Sequence, residues 1–136
     1  MLTVGGTGFE YAIDLKLDPA NGDIYIAGSF DGTVDFDPGV GTFNLTSNST
    51  GFLEWDSYIF KLNSSGNFKW AKSVGGSGID RMSYLALDVE SAKKGVYATG
   101  TFSGTVDFDP GTAVNNLTSA GTVSYTHLTL PTSDLV

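Results

Sequence analysis

The sequence predicts an all-β protein built from a repeated unit of short antiparallel strands. The octapeptide Gly32-Thr-Val-Asp-Phe-Asp-Pro-Gly39 returns unchanged as Gly104-Thr-Val-Asp-Phe-Asp-Pro-Gly111, at a spacing of 72 residues. A period of this length is typical of supersecondary units that stack on one another to bury a shared core. Eighteen glycines, together with many Thr, Val, Tyr and Phe residues, favour strands and tight turns over helices.

Composition and charge exclude several classes of protein. The 136 residues contain no long apolar run that could serve as a signal peptide or a membrane span, so we expect a soluble chain. The net charge of −8 would repel phosphate backbones, which argues against a nucleic-acid partner. The absence of cysteine excludes a disulfide framework and a thiolate metal site.

The first two strands of the unit are predicted from alternation. Ile13, Leu15 and Leu17 fall on one face of a strand over 12–17, with charged residues between them. An Asn-Gly turn, which supplies a positive φ, leads into a second strand over Asp23–Phe30. The pair is therefore predicted to be a hairpin.

The third and fourth strands follow the repeated acidic stretch and a Thr/Asn/Ser-rich loop that runs to about Gly51. The third is predicted over Asp56–Leu62 and the fourth over Asn67–Ser73. Simple alternation places Phe68 and Trp70 on one side of the fourth strand. These four antiparallel strands complete one unit, over 5–74.

A second unit begins at Gly75 and repeats the first half of this pattern. Tyr84–Asp88 lies 70 residues after the first strand, and Gly95–Phe102 lies 72 after the second. The turn over Val89–Lys94 absorbs the two-residue insertion, as loops do. The second unit, over 75–122, stops halfway.

The arrangement resembles a known repeat family. The segment Leu62-Asn-Ser-Ser-Gly-Asn-Phe-Lys-Trp-Ala-Lys-Ser-Val-Gly-Gly76, with the repeated octapeptide, is similar to the bacterial seven-bladed β-propeller repeats called SBBP, over residues 5 to about 122. The resemblance implies one complete four-stranded blade plus half of a second, cut from a β-propeller. It also implies a secreted or surface protein of bacteria, here as a metagenomic fragment whose partners are the remaining blades.

Two functions from different classes fit this resemblance. The first is a non-catalytic structural or interaction module, an adhesion or ligand scaffold for protein or carbohydrate. The second is a fragment of a propeller enzyme whose catalytic residues lie outside this chain. The repeated units carry neither Cys nor His, which removes most nucleophile-and-base schemes, so we expect no catalysis by this chain.

The repeated acidic stretch leaves two interpretations open. Asp35 and Asp37, with their counterparts Asp107 and Asp109, have the carboxylate spacing that calcium sites use when carbonyl oxygens complete the shell. The alternative is an Asx-type turn before Pro-Gly, in which the carboxylates accept backbone N–H groups. The first makes these four residues metal ligands with calcium as cofactor, and the second makes them structural with no cofactor.

Four aromatic residues recur at matched positions of the two units. They could form a sugar-stacking surface, but repetition in the central strands favours packing between stacked units. We therefore predict that they lie in the core: Tyr25, Phe30, Tyr97 and Phe102.

The end of the chain, 123–136, differs from the repeat. Val123-Ser-Tyr-Thr-His-Leu-Thr-Leu-Pro-Thr132 resembles a reading-frame translation of a transposase sequencing adapter, so we interpret it as a non-native tail. The alternative is a natural fifth strand with Leu128 and Leu130 on one face. On the first interpretation the single histidine, His127, belongs to no natural protein.

Overall fold

The fold is all-β and antiparallel, as predicted. The structure is a computed structural model that describes residues 1–90 and 94–121, together with the backbone of 124–131. No helix occurs in these ranges, and hence none that could span a membrane. The strands are β1 (Gly5–Gly6), β2 (Glu10–Leu17), β3 (Ile24–Phe30), β4 (Thr33–Asp35), β5 (Asn44–Thr46), β6 (Asp56–Leu62), β7 (Phe68–Gly76), β8 (Arg81–Asp88), β9 (Gly95–Phe102), β10 (Thr105–Asp107), β11 (Asn116–Thr118) and β12 (Ser124–Pro131).

The four predicted strands of the first unit form an antiparallel meander. They are β2, β3, β6 and β7, and they lie side by side in that order. Gly22 and Gly66, with φ of 75° and 83°, occupy the left-handed region in the turns of its two hairpins. The predicted strands of the second unit, β8 and β9, pair in the same antiparallel manner.

The acidic stretch and the loop after it form more structure than expected. Strand β4 pairs with β5, and β10 pairs with β11, so each unit carries a small extra hairpin. The hydroxyls of Thr33 and Thr46 lie 2.8 Å apart across the first hairpin, and those of Thr105 and Thr118 lie 2.8 Å apart across the second. The prediction of an irregular loop to about Gly51 is therefore wrong for β5, because cross-strand threonine pairs stabilise a ladder there.

The extra hairpin of each unit pairs with a diglycine that precedes that unit's first strand. Gly76, at the end of β7, lies opposite Val106 of β10. Gly6 of β1 lies opposite Val34 of β4 in the same way. A side chain at Gly76 would collide with the carbonyl oxygen of Thr105, so the close approach requires glycine. This pairing joins the extra hairpin of the second unit to the four-stranded meander of the first in one six-stranded sheet, while β8 and β9 lie in a separate sheet.

The prediction that Phe68 and Trp70 share one side of the fourth strand is wrong. Trp70 lies opposite Lys61, whereas Phe68 lies opposite Leu62, so that Lys69 is an extra residue in β7. The irregularity changes the alternation of side chains, as a β-bulge does. Trp70 therefore packs towards the second unit, while Phe68 stacks on Phe43, with 4.8 Å between the ring centroids.

The buried apolar residues form three clusters. The junction cluster lies between the units and contains Tyr25, Ala27, Ile59, Trp70, Met82, Leu85, Val96 and Ala98. The first-unit cluster contains Phe30, Val34, Phe36, Tyr58, Phe60, Leu62 and Ala71. The second-unit cluster is smaller and contains Val74, Phe102, Val106 and Phe108. Stacking of the two units therefore creates a core of its own, beside the cores within each unit.

Strand β12 lies in the part of the chain interpreted as a non-native tail. It pairs with β9 over its whole length, with Ser124 opposite Phe102. Strand β6 takes the same place in the first unit, where Asp56 lies opposite Phe30. The backbone of the tail thus occupies the position of a third strand in the second unit. Residues 122–123 and 132–136 lie outside the described residues. The adapter-like origin of the tail stays a prediction.

Candidate functional site

The acidic motif of the first unit uses its carboxylates as acceptors for backbone N–H groups. Asp35 Oδ1 accepts hydrogen bonds from the N–H groups of Asp37 at 3.0 Å and Phe43 at 2.8 Å. Asp37 Oδ1 accepts one from the N–H of Gly39 at 2.8 Å. These contacts hold the connection between β4 and β5 in an Asx-type turn.

The second unit repeats the same hydrogen bonds. Asp107 Oδ1 accepts from Asp109 at 3.0 Å and Asn115 at 2.8 Å, and Asp109 Oδ1 accepts from Gly111 at 2.6 Å. The N–H groups of Asn115 and Asp109 hold the pKa of Asp107 below its ordinary value. The four predicted ligand residues therefore lie two in each extra hairpin, already engaged with the backbone.

No larger ligand set surrounds these carboxylates within the part of the chain that the structure describes. Groups of three or more His, Cys, Asp or Glu side chains that could hold a metal ion are absent there. Calcium requires six to eight oxygen ligands, so two aspartates would need several carbonyl oxygens or waters beside them. The geometry supports the Asx-turn interpretation directly, and calcium binding stays an untested hypothesis.

We expect calcium to leave the thermal midpoint of this protein unchanged. Asp35 and Asp37 already accept backbone N–H groups, so an added ion would gain few new bonds in the folded state. Melts in excess calcium and in chelator measure the effect. A rise in midpoint that Asp35→Asn with Asp37→Asn, and the matching changes at Asp107 and Asp109, together remove would establish the metal site instead.

A second acidic pair, which the sequence did not single out, lies at the junction of the units. Asp56 is the first residue of β6 and is 0% exposed. Asp80 directly precedes β8 and is 2% exposed. Asp80 accepts hydrogen bonds from the N–H groups of Gly76 at 2.7 Å and Ser103 at 3.3 Å. Asp56 Oδ2 accepts one from Asn48 at 2.8 Å, while its Oδ1 has no partner.

Glycine at position 75 brings these two carboxyl groups together. A side chain at Gly75 would occupy the space of the Asp56 carboxyl group, and the next N–H, that of Gly76, binds Asp80. Burial raises the pKa of Asp56 to about 6, opposed by the N–H of Asn48 and reinforced by the charge of Asp80. Burial also raises the pKa of Asp80.

The junction pair binds protons more readily than ordinary aspartates do. Burial disfavours the charged form of each carboxyl group, and at Asp56 the charge of Asp80 adds to this effect. Both side chains are closed off from solvent, so this pair is not placed to act on a substrate. An acid at the first position of the predicted third strand was the one sequence signal for Asp56.

The aromatic set is divided by the structure. Tyr25, Phe30 and Phe102 are buried, which confirms the prediction of core packing for these three. Tyr97 is 41% exposed, so for this residue the prediction is wrong. The difference arises because Tyr25 is covered by Trp70 of β7, at 6.2 Å between ring centroids, whereas among the described residues the sheet of β9 contains only β8, β9 and β12, with no fourth strand.

Comparisons with protein-family models, with curated proteins and with solved structures found no match.

Proposed function

We propose that this chain is a non-catalytic structural and interaction module of a larger repeat protein. It forms one complete four-stranded unit and the first part of a second, as in the blades of a β-propeller. The resemblance to secreted and surface propellers of bacteria supports an extracellular location and a role in adhesion or in presenting a ligand-binding scaffold. Its first partners are further units of the same repeat.

One observation carries this proposal: residues buried at the junction have exposed counterparts at the outer face of the first unit. Leu85, in the junction cluster, is 4% exposed, whereas Leu15 at the same place in the first unit is 52% exposed. Leu17, the counterpart of Leu87, is 59% exposed, whereas Ile24 and Ile26, the counterparts of Val96 and Ala98, are half-buried against the first-unit cluster. An apolar face that repeats a buried one fits a preceding unit of the same kind.

The outer face of the second unit gives the matching observation. Tyr25 is 2% exposed at the junction, and its counterpart Tyr97 is 41% exposed. The outer face of each unit therefore carries residues whose counterparts hold the two units together at the junction. Further units would bury both halves, and each would add another Asp-rich hairpin.

A chain with a completed second unit tests the proposal. Residues 50–76 are copied directly after Gly121, where they replace the tail and restore the repeat spacing. We expect one cooperative unfolding transition at a higher temperature than that of the present chain, since each added interface stabilises its neighbours. A copy carrying Tyr58→Ser and Phe60→Ser is the matched control and should lose the gain.

Two results would contradict the proposal. A completed second unit that melts no higher than the present chain would mean that the units do not stack as a repeat. Hydrolysis of glycans or peptides by the extended chain, in place of simple binding, would assign the protein to the enzyme class.

A further inference from the structure

A polar cavity of about 160 Å³ lies between the two units, near the last residues of β2 and β8. Asp18 and Asn21, in the turn after β2, line it from the first unit. Asp88 at the end of β8 and Lys94 just before β9 line it from the second unit. The cavity is therefore formed by residues of both units together.

Hydrogen bonds within the first turn fix one wall of this cavity. Asp18 is 6% exposed, and its Oδ1 accepts a hydrogen bond from the N–H of Ala20 at 2.8 Å. The backbone of Asp18 bonds twice more within the turn, to Asp23 at 2.9 Å and to Gly22 at 2.8 Å. A buried carboxylate thus lies in the wall at a position that its own turn determines. A ligand loses less binding energy to ordering when the wall is fixed in advance.

Lys61 of β6 supplies a charged donor to the same cavity. Its ammonium lies 2.6 Å from Asp23 Oδ2 and 5.1 Å from the centre of the Tyr25 ring. Burial acts against the charge of Lys61, but hydrogen bonds with Asp23 and Tyr25 raise its pKa above the ordinary value. An ammonium carries three N–H donors, so Lys61 can bond Asp23 and still offer an N–H to a ligand.

Lys94 has a backbone conformation that lysine rarely adopts. Its φ is 34°, and its counterpart 72 residues earlier is Gly22, with a φ of 75°. Glycine adopts positive φ without steric cost, so the second unit has a strained lysine where the first has the favoured residue. Strained residues of this kind are concentrated at binding and catalytic sites. The Lys94 side chain lines the cavity, which indicates a use for it beyond the turn.

The charges of the wall favour a neutral ligand that carries hydroxyl groups. Two carboxylates, Asp18 and Asp88, and two ammonium groups, Lys61 and Lys94, line the cavity. A hydroxyl can donate to a carboxylate and accept from an ammonium at the same time. An anion would be repelled by the carboxylates and by the net charge of −8, and a cation would be repelled by the ammonium groups.

The size of the cavity matches one sugar ring. An apolar cavity of about 150 Å³ holds a benzene molecule, and a pyranose is also a six-membered ring. Leu87 and Val89 line the cavity as well and offer apolar surface to the C–H groups of such a ring.

We propose that this cavity binds the neutral pyranose ring of a glycan, with its hydroxyl groups bonded to Asp18 and Lys94. The inference rests on the proposed function, because it assigns a class of ligand to the interaction module.

Titration of the full chain with the methyl glycosides of glucose, galactose and mannose tests the proposal. We expect at least one glycoside to bind with a Kd of about 1 mM, as a single small ring does in a polar cavity. Saturable shifts of the NMR amide signals of Asn21, Leu87 and Gly95, which line the cavity, measure the binding.

Two variants separate binding from folding. Lys94→Gly relieves the positive φ, so the melting temperature should stay the same or rise, while the glycoside should bind at least about tenfold more weakly. Asp18→Asn should also weaken binding, although its amide oxygen can still accept the Ala20 N–H. Lys69→Ala, which removes an exposed lysine of β7 outside the cavity, is the matched control and should bind like the parent.

The other outcomes would overturn the sugar site. They are the absence of saturable shifts with all three glycosides, and an affinity that Lys94→Gly leaves unchanged. Tighter binding of methyl glucuronide or of glucosamine than of methyl glucoside would show that the cavity selects a charged ligand, and would overturn the proposal too. The melting temperature of the chain with a completed second unit decides the repeat function separately. A failed titration beside a raised melting temperature therefore removes the sugar site alone.

Discussion

Replacement of Phe36 by alanine should cost about 3–5 kcal/mol of unfolding free energy, the range measured for large aromatic residues in closely packed cores. Phe36 is fully buried in the first-unit cluster. Its ring contacts those of Phe30, Tyr58 and Phe60. Removal of the ring would leave a cavity that three aromatic neighbours cannot collapse to fill. Urea unfolding followed by fluorescence of the two tryptophans measures the loss.

The chain contains its own control for this experiment. Phe108 occupies the same place in the repeated octapeptide of the second unit, in a cluster that contains four of the described residues against seven in the first unit. Phe108→Ala should cost about 1–2 kcal/mol, because fewer ring contacts are lost: among the described residues Phe108 has one aromatic neighbour, whereas Phe36 has three. Equal losses from the two substitutions would mean that the second unit is as well packed as the first.

Acidification from pH 7.5 to pH 5 should stabilise the protein by roughly 1–3 kcal/mol. The pKa of Asp56 in the folded state is about 6, above its ordinary value of 3.8. The folded state therefore binds a proton that the unfolded state releases, so stability rises as the pH falls from 7 to about 4. Asp80, whose pKa burial also raises, acts in the same direction.

Other carboxyl groups oppose this stabilisation at the acidic end of the pH range. Burial acts against ionisation of Asp14, but hydrogen bonds from Lys16 and the N–H of Leu85 hold its pKa below the ordinary value. The pKa of Asp107 is also lowered. Such groups lose their contribution only as the pH falls through about 4 and below. The greatest stability is therefore expected between about pH 4 and pH 5.

Asp56→Asn should raise the melting temperature at pH 7.5 and flatten the profile between pH 5 and 7.5. Its amide oxygen can still accept the Asn48 N–H, and its amide nitrogen places a donor where the unpaired Oδ1 stands. If the pH dependence of stability in Asp56→Asn were identical to that of the parent, a group other than Asp56 would cause the stabilisation by acid.

The sequence was a sufficient guide to the main strands. Three local signals predicted elements that the structure contains. They are the Asn-Gly turn at Gly22, the alternation in β3 and the apolar run of β6. The Asx-type turn of the acidic motif could also be predicted, because an Asp carboxylate that accepts the N–H group two residues further along the chain forms this turn in any surroundings. These features depend on neighbours close in the chain.

The features that the sequence did not reveal depend on distant partners. Lys69 is an extra residue only because β7 must pair with β6 in a particular register. The charge of Asp80 acts on Asp56 because Gly75 leaves room for the Asp56 carboxyl group while the N–H of the next residue, Gly76, binds Asp80. Exposure of Tyr97 depends on whether a fourth strand covers it, and none does so among the described residues. The local sequence pattern cannot reveal features that depend on residues distant in the chain.

The pairing of β7 with β10 has a consequence for how the protein would open. Gly75 and Gly76 belong by sequence to the start of the second repeat, yet they extend the last strand of the first unit and bond to the hairpin of the second. Loss of one unit would therefore strip backbone hydrogen bonds from its neighbour as well as apolar contacts. Under hydrogen exchange, amides on both sides of the boundary should open together, so that the smallest unit of cooperativity is longer than the repeat.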